Sequence, residues 1–454
     1  MTNKLGRRDF LQTAGQLALT TAVWPYAKGP ISEPLTFTVA AVGDCMIDRT
    51  LSSLPPDEFL PVAKIIQSAD VGFGNFEMTL ADADAPPQYH DSCAYVHLRA
   101  DMPENRIIAE ELKWVGFRMM GLSNNHAMDF GTAGLLSTIN KFDEAGVAHA
   151  GTGRSLAEAR SPAYWDSPKG RIALIACAST FPYGAFAADG NGEVAPRAGL
   201  NPCRVQTTYQ LEQEQLDSLR RIGGGLRLNP GPSESAYTFL GHKFVAGPSN
   251  QILTNADPLD VAAITSSIHR ASRNADLTLF GIHAHEGARS AEIPAQFLQP
   301  LAHACIDAGA NAFIGHGPHV LRGIEIYKGR PIFYSLGNFI FHGESEKQIP
   351  PEIYEVCGVG GSDPSDVFDK VLQGFSAEAF WDSVVAVPTF HNGQLAELEL
   401  YPVTLQPELS RSRRGTPVLA TGDSGRKIIA KLAQLSEPYG TRITYEGNTG
   451  VVQL

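Results

Sequence analysis

The chain has 454 residues, of which 43% are hydrophobic and 19% are charged, and its formal net charge is −12. This length allows one large domain or two ordinary ones, each with a sizeable buried core. No stretch approaches the roughly 20 uncharged apolar residues that a membrane-spanning helix needs, so we expect no transmembrane helix apart from a leader. The acidic balance argues against nucleic acid as a partner.

The first 34 residues differ from the rest of the chain. Arg7-Arg8-Asp9-Phe10-Leu11 precedes a mildly apolar run at residues 17–24. Paired arginines before such a run resemble a twin-arginine export leader, so we expect residues 1–34 to be a leader and the protein to be periplasmic or at the cell surface. The alternative is a cytoplasmic helix start with two surface arginines.

The six cysteines are scattered, with no Cys-x-x-Cys pair. This spacing argues against zinc-ribbon and thioredoxin-type sites. Cys177 lies in an apolar run and Cys305 in a segment of helical period, so packing is the expected role of both. An exported protein could also form one or two disulfides.

From residue 36 onward, short apolar runs alternate with segments of helical period, which is typical of an α/β layered domain. Residues 134–145, 258–274 and 296–308 have apolar residues at three- and four-residue spacing and are predicted to be crossover helices. The predicted strands are residues 36–42, 71–73, 117–122, 171–176, 277–282, 312–314 and 331–336.

Two further segments complete the predicted domain, residues 35–405. Residues 181–256 are rich in Gly, Pro and Asn, and we interpret them as an insert of loops forming a lid over one edge of the site. His391-Asn392-Gly393 indicates the turn of a hairpin that ends near residue 405 and belongs to a second sheet. Residues 406–454 are predicted to be an extension that packs on the same domain, with a helix at 425–435 and a strand at 441–445.

Five predicted strands run into side chains that bind metals well. Sites in α/β sheets form at the carboxyl ends of the strands, so we expect these side chains to converge on one edge. Imidazole, carboxylate and amide oxygen together suit Mn, Fe, Zn or Co, and we predict a site for one or two divalent ions. In chain order the residues are Asp44, Asn75, Glu77, Asn125, His126, Asp129, His283, His285, His316 and His319.

Single signals in this set have simpler interpretations. His283 and His285 would face the same side of an extended strand, yet they could also be surface histidines on a loop. Asn125 could cap a helix, a role that does not exclude metal binding. Asn75 competes with Glu77 for the same ligand role. Gly317-Pro318 forms a turn that could aim His316 and His319 inward, and it is a weak signal alone.

Several motifs together resemble the CapA family of poly-γ-glutamate capsule-biosynthesis proteins, whose fold is related to calcineurin-like metallophosphoesterases. The resemblance runs in order from about residue 37 to residue 405. The motifs that carry it are Val42-Gly43-Asp44-Cys45-Met46-Ile47-Asp48-Arg49, Gly74-Asn75-Phe76-Glu77, Asn124-Asn125-His126-Ala127-Met128-Asp129-Phe130-Gly131, Arg197-Ala198-Gly199-Leu200-Asn201-Pro202, Gly315-His316-Gly317-Pro318-His319-Val320 and Tyr334-Ser335-Leu336-Gly337-Asn338-Phe339.

The resemblance implies an α/β/β/α sandwich with two mixed sheets. It implies Asp44, Asn125, His283, His316 and His319 as metal ligands. His126, with Asp129 as its orienting partner, would be the catalytic acid or base. Asp44-Cys45-Met46 stands where phosphoesterases have Asp-x-His, so one ligand is missing, and His285 is its candidate replacement. Arg49, Asn75 and Asn338 are candidate substrate contacts.

Three functions follow as hypotheses. The first is a metal-dependent hydrolase or transferase that forms, trims or exports a poly-γ-glutamate-type polymer. The second is a non-catalytic module that binds the anionic polymer or scaffolds a membrane-bound synthase complex. The third is an exported phosphoesterase acting on nucleotides or phosphomonoesters.

Overall fold

The short apolar runs of the sequence form strands in two large mixed sheets, which pack face to face. In the computed structural model we describe residues 35–56, 58–82, 84–88, 106–228, 236–343, 349–360, 363–374 and 377–454, which belong to the unit Leu35–Leu454. The predicted leader and Cys93 lie outside these residues. Val39 and Phe73 of one sheet and Leu174 and Leu279 of the other share one buried apolar layer. Burial of this apolar surface holds the two sheets together.

The first sheet has ten strands and is parallel at one end and antiparallel at the other. Asn338–Phe341 pairs with the central strand Thr36–Met46, and Val418–Leu419 pairs with Gln394–Thr404. The spatial order of the other strands is Arg442–Glu446, Thr449–Gln453, Gln394–Thr404, Asp382–His391, Thr36–Met46, Val71–Phe76, Phe117–Gly121 and Ala148–Ala150.

The second sheet has six strands, with a parallel centre and an antiparallel strand at each edge. Its central strands are buried on both faces, as parallel strands covered by helices must be. The spatial order is Ile324–Tyr327, Arg330–Phe333, Ala312–His316, Leu277–His283, Gly170–Ala178 and Ala163–Ser167.

Helices cover the outer faces of both sheets, which completes an α/β/β/α sandwich and confirms the predicted fold class. Pro258–Ser272 and Leu298–Asp307 pack on the second sheet. The first of these begins where Asp257 Oδ1 accepts hydrogen bonds from the amides of Leu259 and Asp260, a standard helix cap. The helices on the first sheet are Leu60–Ser68, Arg106–Val115, Gly131–Ala145, Pro351–Cys357 and Pro364–Gly374.

The interpretation of residues 181–256 as loops is wrong, because this segment contains a helix and a four-stranded sheet. The helix is Gln213–Gly225. Most of the described Gly, Pro and Asn residues that suggested loops lie outside this helix and sheet, whereas β-branched and aromatic residues occupy the strands. The strands of this insert sheet lie in the order Ala236–Phe239, His242–Ala246, Val205–Leu211 and Gln251–Ala256.

Residues 406–454 continue the first sheet. Thr449–Gln453 pairs with Gln394–Thr404, and Arg442–Glu446 pairs with Thr449–Gln453. Helix Gly422–Ser436 adds buried side chains to the apolar layer between the sheets. The remaining short elements are Thr152–Gly153, Leu156–Ala159, Gly199–Leu200, Glu378–Phe380 and Glu437–Tyr439.

The five cysteines in the described part of the chain are free and buried. Cys177, Cys203 and Cys305 pack together beneath the second sheet, which agrees with the packing role predicted for Cys177 and Cys305. Among the described helices, none is both long enough and apolar enough to cross a membrane.

Candidate metal centre

The carboxyl ends of the two sheets meet at one end of the sandwich, so the polar residues that follow five strands come together from both sheets. In the first sheet Asp44 is in register with Asn75 on one side and with Asn338 on the other. In the second sheet His283 is in register with His316. The predicted site residues therefore do come together, and they come from the strand ends of two sheets.

Asp44 is placed by a close approach of two backbone segments. Its amide donates a 3.0 Å hydrogen bond to the carbonyl of Gly337. A Cβ atom at Gly43 would lie 1.8 Å from that oxygen, so only glycine fits before Asp44. The carboxylate is fully buried and accepts hydrogen bonds from the Gly317 amide at 2.9 Å and from Asn75 Nδ2 at 2.8 Å. These contacts hold both oxygens of Asp44 in one orientation.

Glu77 is a fully buried carboxylate without a hydrogen-bond donor. Neither of its oxygens has a hydrogen-bond partner among the described residues. Three imidazole nitrogens surround Glu77 Oε1: His283 Nε2 at 3.4 Å, His319 Nε2 at 3.7 Å and His285 Nε2 at 3.8 Å. A buried carboxylate is costly unless a cation or a donor compensates it. The donor set around Glu77 therefore fits a metal ion.

His283 and His285 lie on one side of the chain, as their spacing predicts. Their Nε2 atoms are 2.9 Å apart. His283 Nδ1 lies 3.1 Å from Asn75 Nδ2, so the amide of Asn75 connects the two sheets through Asp44 and His283. Burial lowers the pKa of His283 to about 4, and burial together with His283 and His319 lowers the pKa of His285 well below its ordinary value. Both rings are neutral at pH 7, and each therefore has one unprotonated nitrogen.

His319 is held in a sparsely populated backbone conformation, with φ of +58°. Asn338 Nδ2 donates to the carbonyl of Phe380 at 3.0 Å, which turns Asn338 Oδ1 toward His319 Nδ1 at 2.8 Å. His319 Nδ1 must then carry the proton, and its Nε2 lone pair faces Glu77. Backbone strain at a non-glycine residue occurs most often at functional sites.

The two buried carboxyl groups have opposite pKa shifts. Burial raises the pKa of Asp44, but the interaction with His283 and the charges of His316 and His319 outweigh it, so the pKa lies well below its usual range. Burial raises the pKa of Glu77 well above its usual value, and Asp44 and Asp129 raise it further. Perturbed carboxyl groups in one cluster are typical of functional sites. A cation bound between them would stabilise both in the charged form.

Two overlapping groups of residues place their ligand atoms close enough to share an ion. Glu77, His283 and His285 form one, and Asp44, Glu77 and His319 form the other, with ligand atoms within 4.8 Å of one another. Glu77, which competed with Asn75 in the sequence analysis, belongs to both. The structure thus contains a cluster of acidic and imidazole side chains suited to a divalent metal.

His126 and Asp129 form a buried pair beside this cluster. His126 Nδ1 lies 2.7 Å from Asp129 Oδ2. Burial lowers the pKa of His285 and of His319, and the electrostatic effect of nearby His126 lowers both further. The preceding residue, Asn125, is buried, and its Oδ1 atom has no hydrogen-bond partner in the part of the chain that the structure describes. An unpaired buried amide oxygen is a donor suited to a hard or borderline cation.

Two predicted site residues, His316 and Arg49, make contacts other than the predicted ones. His316 Nε2 is 3.1 Å from the carbonyl oxygen of Val42, and its ring packs edge-on against Phe73, so His316 stays outside both groups of potential ligands. Arg49 donates to the carbonyls of Arg411 and Arg414 and contacts Asp48. Its guanidinium group therefore contacts the backbone of the loop that contains Arg411 and Arg414.

Sequence reasoning missed Arg322, a fully buried arginine that packs against the loop beginning at His285. Its guanidinium group donates to the carbonyls of Ala291, Ala284, His285 and Glu286 at 2.7 to 3.5 Å. Glu286 in turn accepts from Ser179 Oγ and Thr180 Oγ1. An arginine in the apolar stretch that follows His319 was the available signal, since arginine is rarely buried without a specific set of acceptors.

Comparisons with known proteins identify a family for this chain. The family described as "Bacterial capsule synthesis protein PGA_cap" matches residues 38–343. Similar relatives include "Uncharacterized protein y4sH" of Sinorhizobium fredii, 38% identical over 437 residues that cover 92% of this chain and 93% of the relative. "Capsule biosynthesis protein CapA" of Bacillus anthracis is 28% identical over 327 residues, covering 71% of this chain and 63% of the relative. "Probable polyglutamine synthesis accessory protein MT0602" of Mycobacterium tuberculosis is 27% identical over 219 residues, covering 48% and 44%.

The matched span, residues 38–343, contains every predicted metal ligand, from Asp44 to His319. The family resemblance that the motifs indicated is thereby confirmed. The chain belongs to the bacterial capsule synthesis protein family PGA_cap.

Proposed function

We propose that this protein is a metal-dependent hydrolase or transferase in the biosynthesis of a capsule polymer of the poly-γ-glutamate type. Glu77 is the observation that carries the proposal, because a buried carboxyl group without a hydrogen-bond partner among the described residues, facing three imidazoles, fits a cation. A divalent ion held there would polarise a scissile acyl or phosphoryl oxygen and lower the pKa of water. Mn, Fe, Zn and Co all suit these ligands.

Different residues of the site would have different roles. Asp44, Glu77, His283, His285 and His319 would hold the ion, with Asn125 Oδ1 as a further donor. The pair of His126 and Asp129 would move the proton: Asp129 accepts from Nδ1, which leaves Nε2 to exchange a proton with the leaving group. Asn75 and Asn338 orient ligands through hydrogen bonds and so act as positioning residues.

The test compares the wild type with Glu77→Gln, and Glu352→Gln is a matched control at an exposed position. Metal content of the purified proteins is measured first, then metal-dependent cleavage of γ-glutamyl oligomers and of a generic phosphodiester. We expect the wild type and the control to contain metal and cleave the oligomer, and Glu77→Gln to lose both properties. A wild type without Mn, Fe, Zn or Co, or equal cleavage by Glu77→Gln, would reject the proposal.

A second candidate is an accessory protein that binds polymer without cleaving it, alone or within a membrane-bound synthase complex. The printed description of the Mycobacterium tuberculosis relative as an accessory protein favours it. Metal-loaded protein that binds the oligomer without cleaving it would support this candidate. Cleavage of the phosphodiester alone would instead support a general phosphoesterase.

The proposal includes export by the twin-arginine route. It is supported by Arg7-Arg8 ahead of the apolar run at residues 17–24. Fractionation of cells that express the wild type or the double variant Arg7→Lys, Arg8→Lys tests it. We expect the variant to stay in the cytoplasm, and equal export of the two proteins would contradict this route.

A further inference from the structure

A cavity of about 540 Å³ lies between the insert sheet and the loop that follows His285. Tyr209, Phe244 and Ile252 contribute to one wall, and Ala288 and Arg289 of the loop contribute to the other. This volume falls within the range of sites that bind small ligands or segments of a polymer. None of the residues assigned to the metal cluster lines it.

The wall formed by the insert sheet is a row of apolar side chains from three neighbouring strands. Tyr209 is in register with Phe244 on one side and with Ile252 on the other. The rings of Tyr209 and Phe244 stack with centroids 5.1 Å apart and planes at 24°. Ile252 is 48% exposed. The row offers a surface for methylene groups or a planar amide.

Arg289 is the only charged residue among the ten that line the cavity. Its side chain is exposed, and it forms no hydrogen bond or ion pair with any residue that the structure describes. The lining contains no carboxylate, although the chain has a net charge of −12. Asn250, Gln251 and Gln296 add amide groups to the lining. The cavity therefore combines a free guanidinium, several amides and an apolar wall.

The cavity lies next to the metal cluster along the chain. Ala288 is three residues after His285, so their Cα atoms are at most about 11 Å apart. The loop is held by Arg322, which donates to the carbonyls of His285 and Glu286 at its start and to that of Ala291 near its tip. A ligand chain of a few units would be long enough to span this distance.

We propose that this cavity is a binding subsite for an amide-linked segment that carries carboxylates. Arg289 would pair with one carboxylate, the side-chain amides with the amide links, and the row formed by Tyr209, Phe244 and Ile252 with the methylene groups. A guanidinium binds a carboxylate with two parallel hydrogen bonds, which is why charge and shape both favour this ligand. The inference rests on the proposed function, because it names the part of the protein that would hold the polymer beside the reacting link.

The test is calorimetric binding of a γ-glutamyl tetramer to the full chain, with the same tetramer carrying carboxamides as the neutral comparison. We expect the acidic tetramer to bind more tightly, and Arg289→Ala to weaken it about tenfold or more, since a hydrogen bond to a charged group is lost. Arg289→Lys should retain part of the affinity. Arg273 is an exposed arginine at the C-terminal end of helix Pro258–Ser272. Arg273→Ala is the control and should leave the affinity for the acidic tetramer unchanged.

A second variant tests the apolar row. Ile252→Asp places a carboxylate at an exposed position of the cavity wall, where it should repel the acidic tetramer without disturbing the fold. Equal affinity of the wild type and Arg289→Ala, or a preference for the neutral tetramer, would overturn the proposal.

The metal content of every variant separates this inference from the proposed function. We expect Arg289→Ala and Ile252→Asp to contain as much metal as the wild type. A protein without metal that still binds the acidic tetramer through Arg289 would overturn the proposed enzyme and leave the subsite standing. A metal-loaded, active protein whose affinity for the acidic tetramer does not depend on Arg289 would overturn the subsite and leave the proposed enzyme standing.

Discussion

At the level of single residues, the candidate site depends on amide side chains that orient its ligands. Asn75 joins Asp44 to His283, and Asn338 sets the protonated nitrogen of His319. Sequence reasoning named Asn338 as a possible substrate contact, and Asn75 as a possible substrate contact or a competitor of Glu77 for a ligand role. Hydrogen-bonded partners of metal ligands commonly affect metal affinity nearly as strongly as the ligands themselves.

Asn338 provides a test of this orienting role. Asn338→Leu removes the acceptor for His319 and the donor for the Phe380 carbonyl, whereas Asn338→Asp keeps only the acceptor. We expect the leucine variant to bind metal about 10- to 100-fold more weakly and the aspartate variant to retain more affinity. Competition with a chelator measures this, and unchanged affinity in Asn338→Leu would contradict the assigned role. Both variants should lose about 1–3 kcal/mol of stability, because each removes the hydrogen bond that Asn338 donates to the part-buried Phe380 carbonyl.

Asp382 gives a pH-dependent prediction outside the site. Burial, together with the nearby Glu378, raises the pKa of Asp382 to about 6 in the folded protein. The folded state therefore holds this proton more tightly than the unfolded state, so stability is retained below pH 4 and is lost as the pH rises through 6. Asp382→Asn should match the wild type at pH 4 and be about 1 kcal/mol more stable at pH 8, after allowance for partial exposure. Denaturant unfolding at the two pH values measures this, and a constant difference would contradict it.

At the level of elements, the strands of the two large sheets were predictable because most are short apolar runs that end in polar residues. Residues 36–42 and 277–282 were predicted as strands and lie within Thr36–Met46 and Leu277–His283. The insert was missed because its strands are short and half-exposed and lack a continuous apolar run. His316 shows a second limit: the motif placed it near the metal, but a hydrogen bond to Val42 depends on how the two sheets pack.

Gly43 tests whether the close approach of strand ends positions the site. Gly43→Ala would bring a Cβ atom to within 1.8 Å of the Gly337 carbonyl oxygen, which must break the bond to the Asp44 amide. We expect a loss of about 3 kcal/mol or more. Gly224→Ala is the matched control, since nothing lies within 4 Å of its added Cβ in helix Gln213–Gly225, and it should gain up to about 1 kcal/mol. Urea unfolding measures both, and similar effects of the two substitutions would refute the argument.

At the level of the whole molecule, charge limits how a polyanion can bind. With a net charge of −12, the general surface repels an acidic polymer, so binding requires local positive charge. A divalent ion held by the candidate ligands would provide one such place, and the cavity that contains Arg289 is another; Arg289 and His285 belong to the same loop. We therefore expect the affinity for an acidic oligomer to fall with salt concentration only by the amount expected from a few charged contacts.

The family match ends at residue 343, whereas the first sheet continues to residue 453. Strand Asp382–His391 pairs directly with Thr36–Met46, which carries Asp44, and helix Gly422–Ser436 buries Ile428, Ile429 and Leu432 between the sheets. The matched span alone therefore lacks part of the core on which the site is built.

Expression of residues 35–454 and 35–405 tests this dependence. Removal of residues 406–454 exposes apolar side chains of the inter-sheet layer and leaves the long strand Gln394–Thr404 as an unpaired edge on one side. Both changes promote aggregation, and each buried leucine or isoleucine lost costs about 1.5–3 kcal/mol, so we expect 35–454 to unfold cooperatively and 35–405 to be insoluble. Cooperative unfolding of 35–405 at the midpoint of the longer chain would show that residues 406–454 are dispensable for the fold.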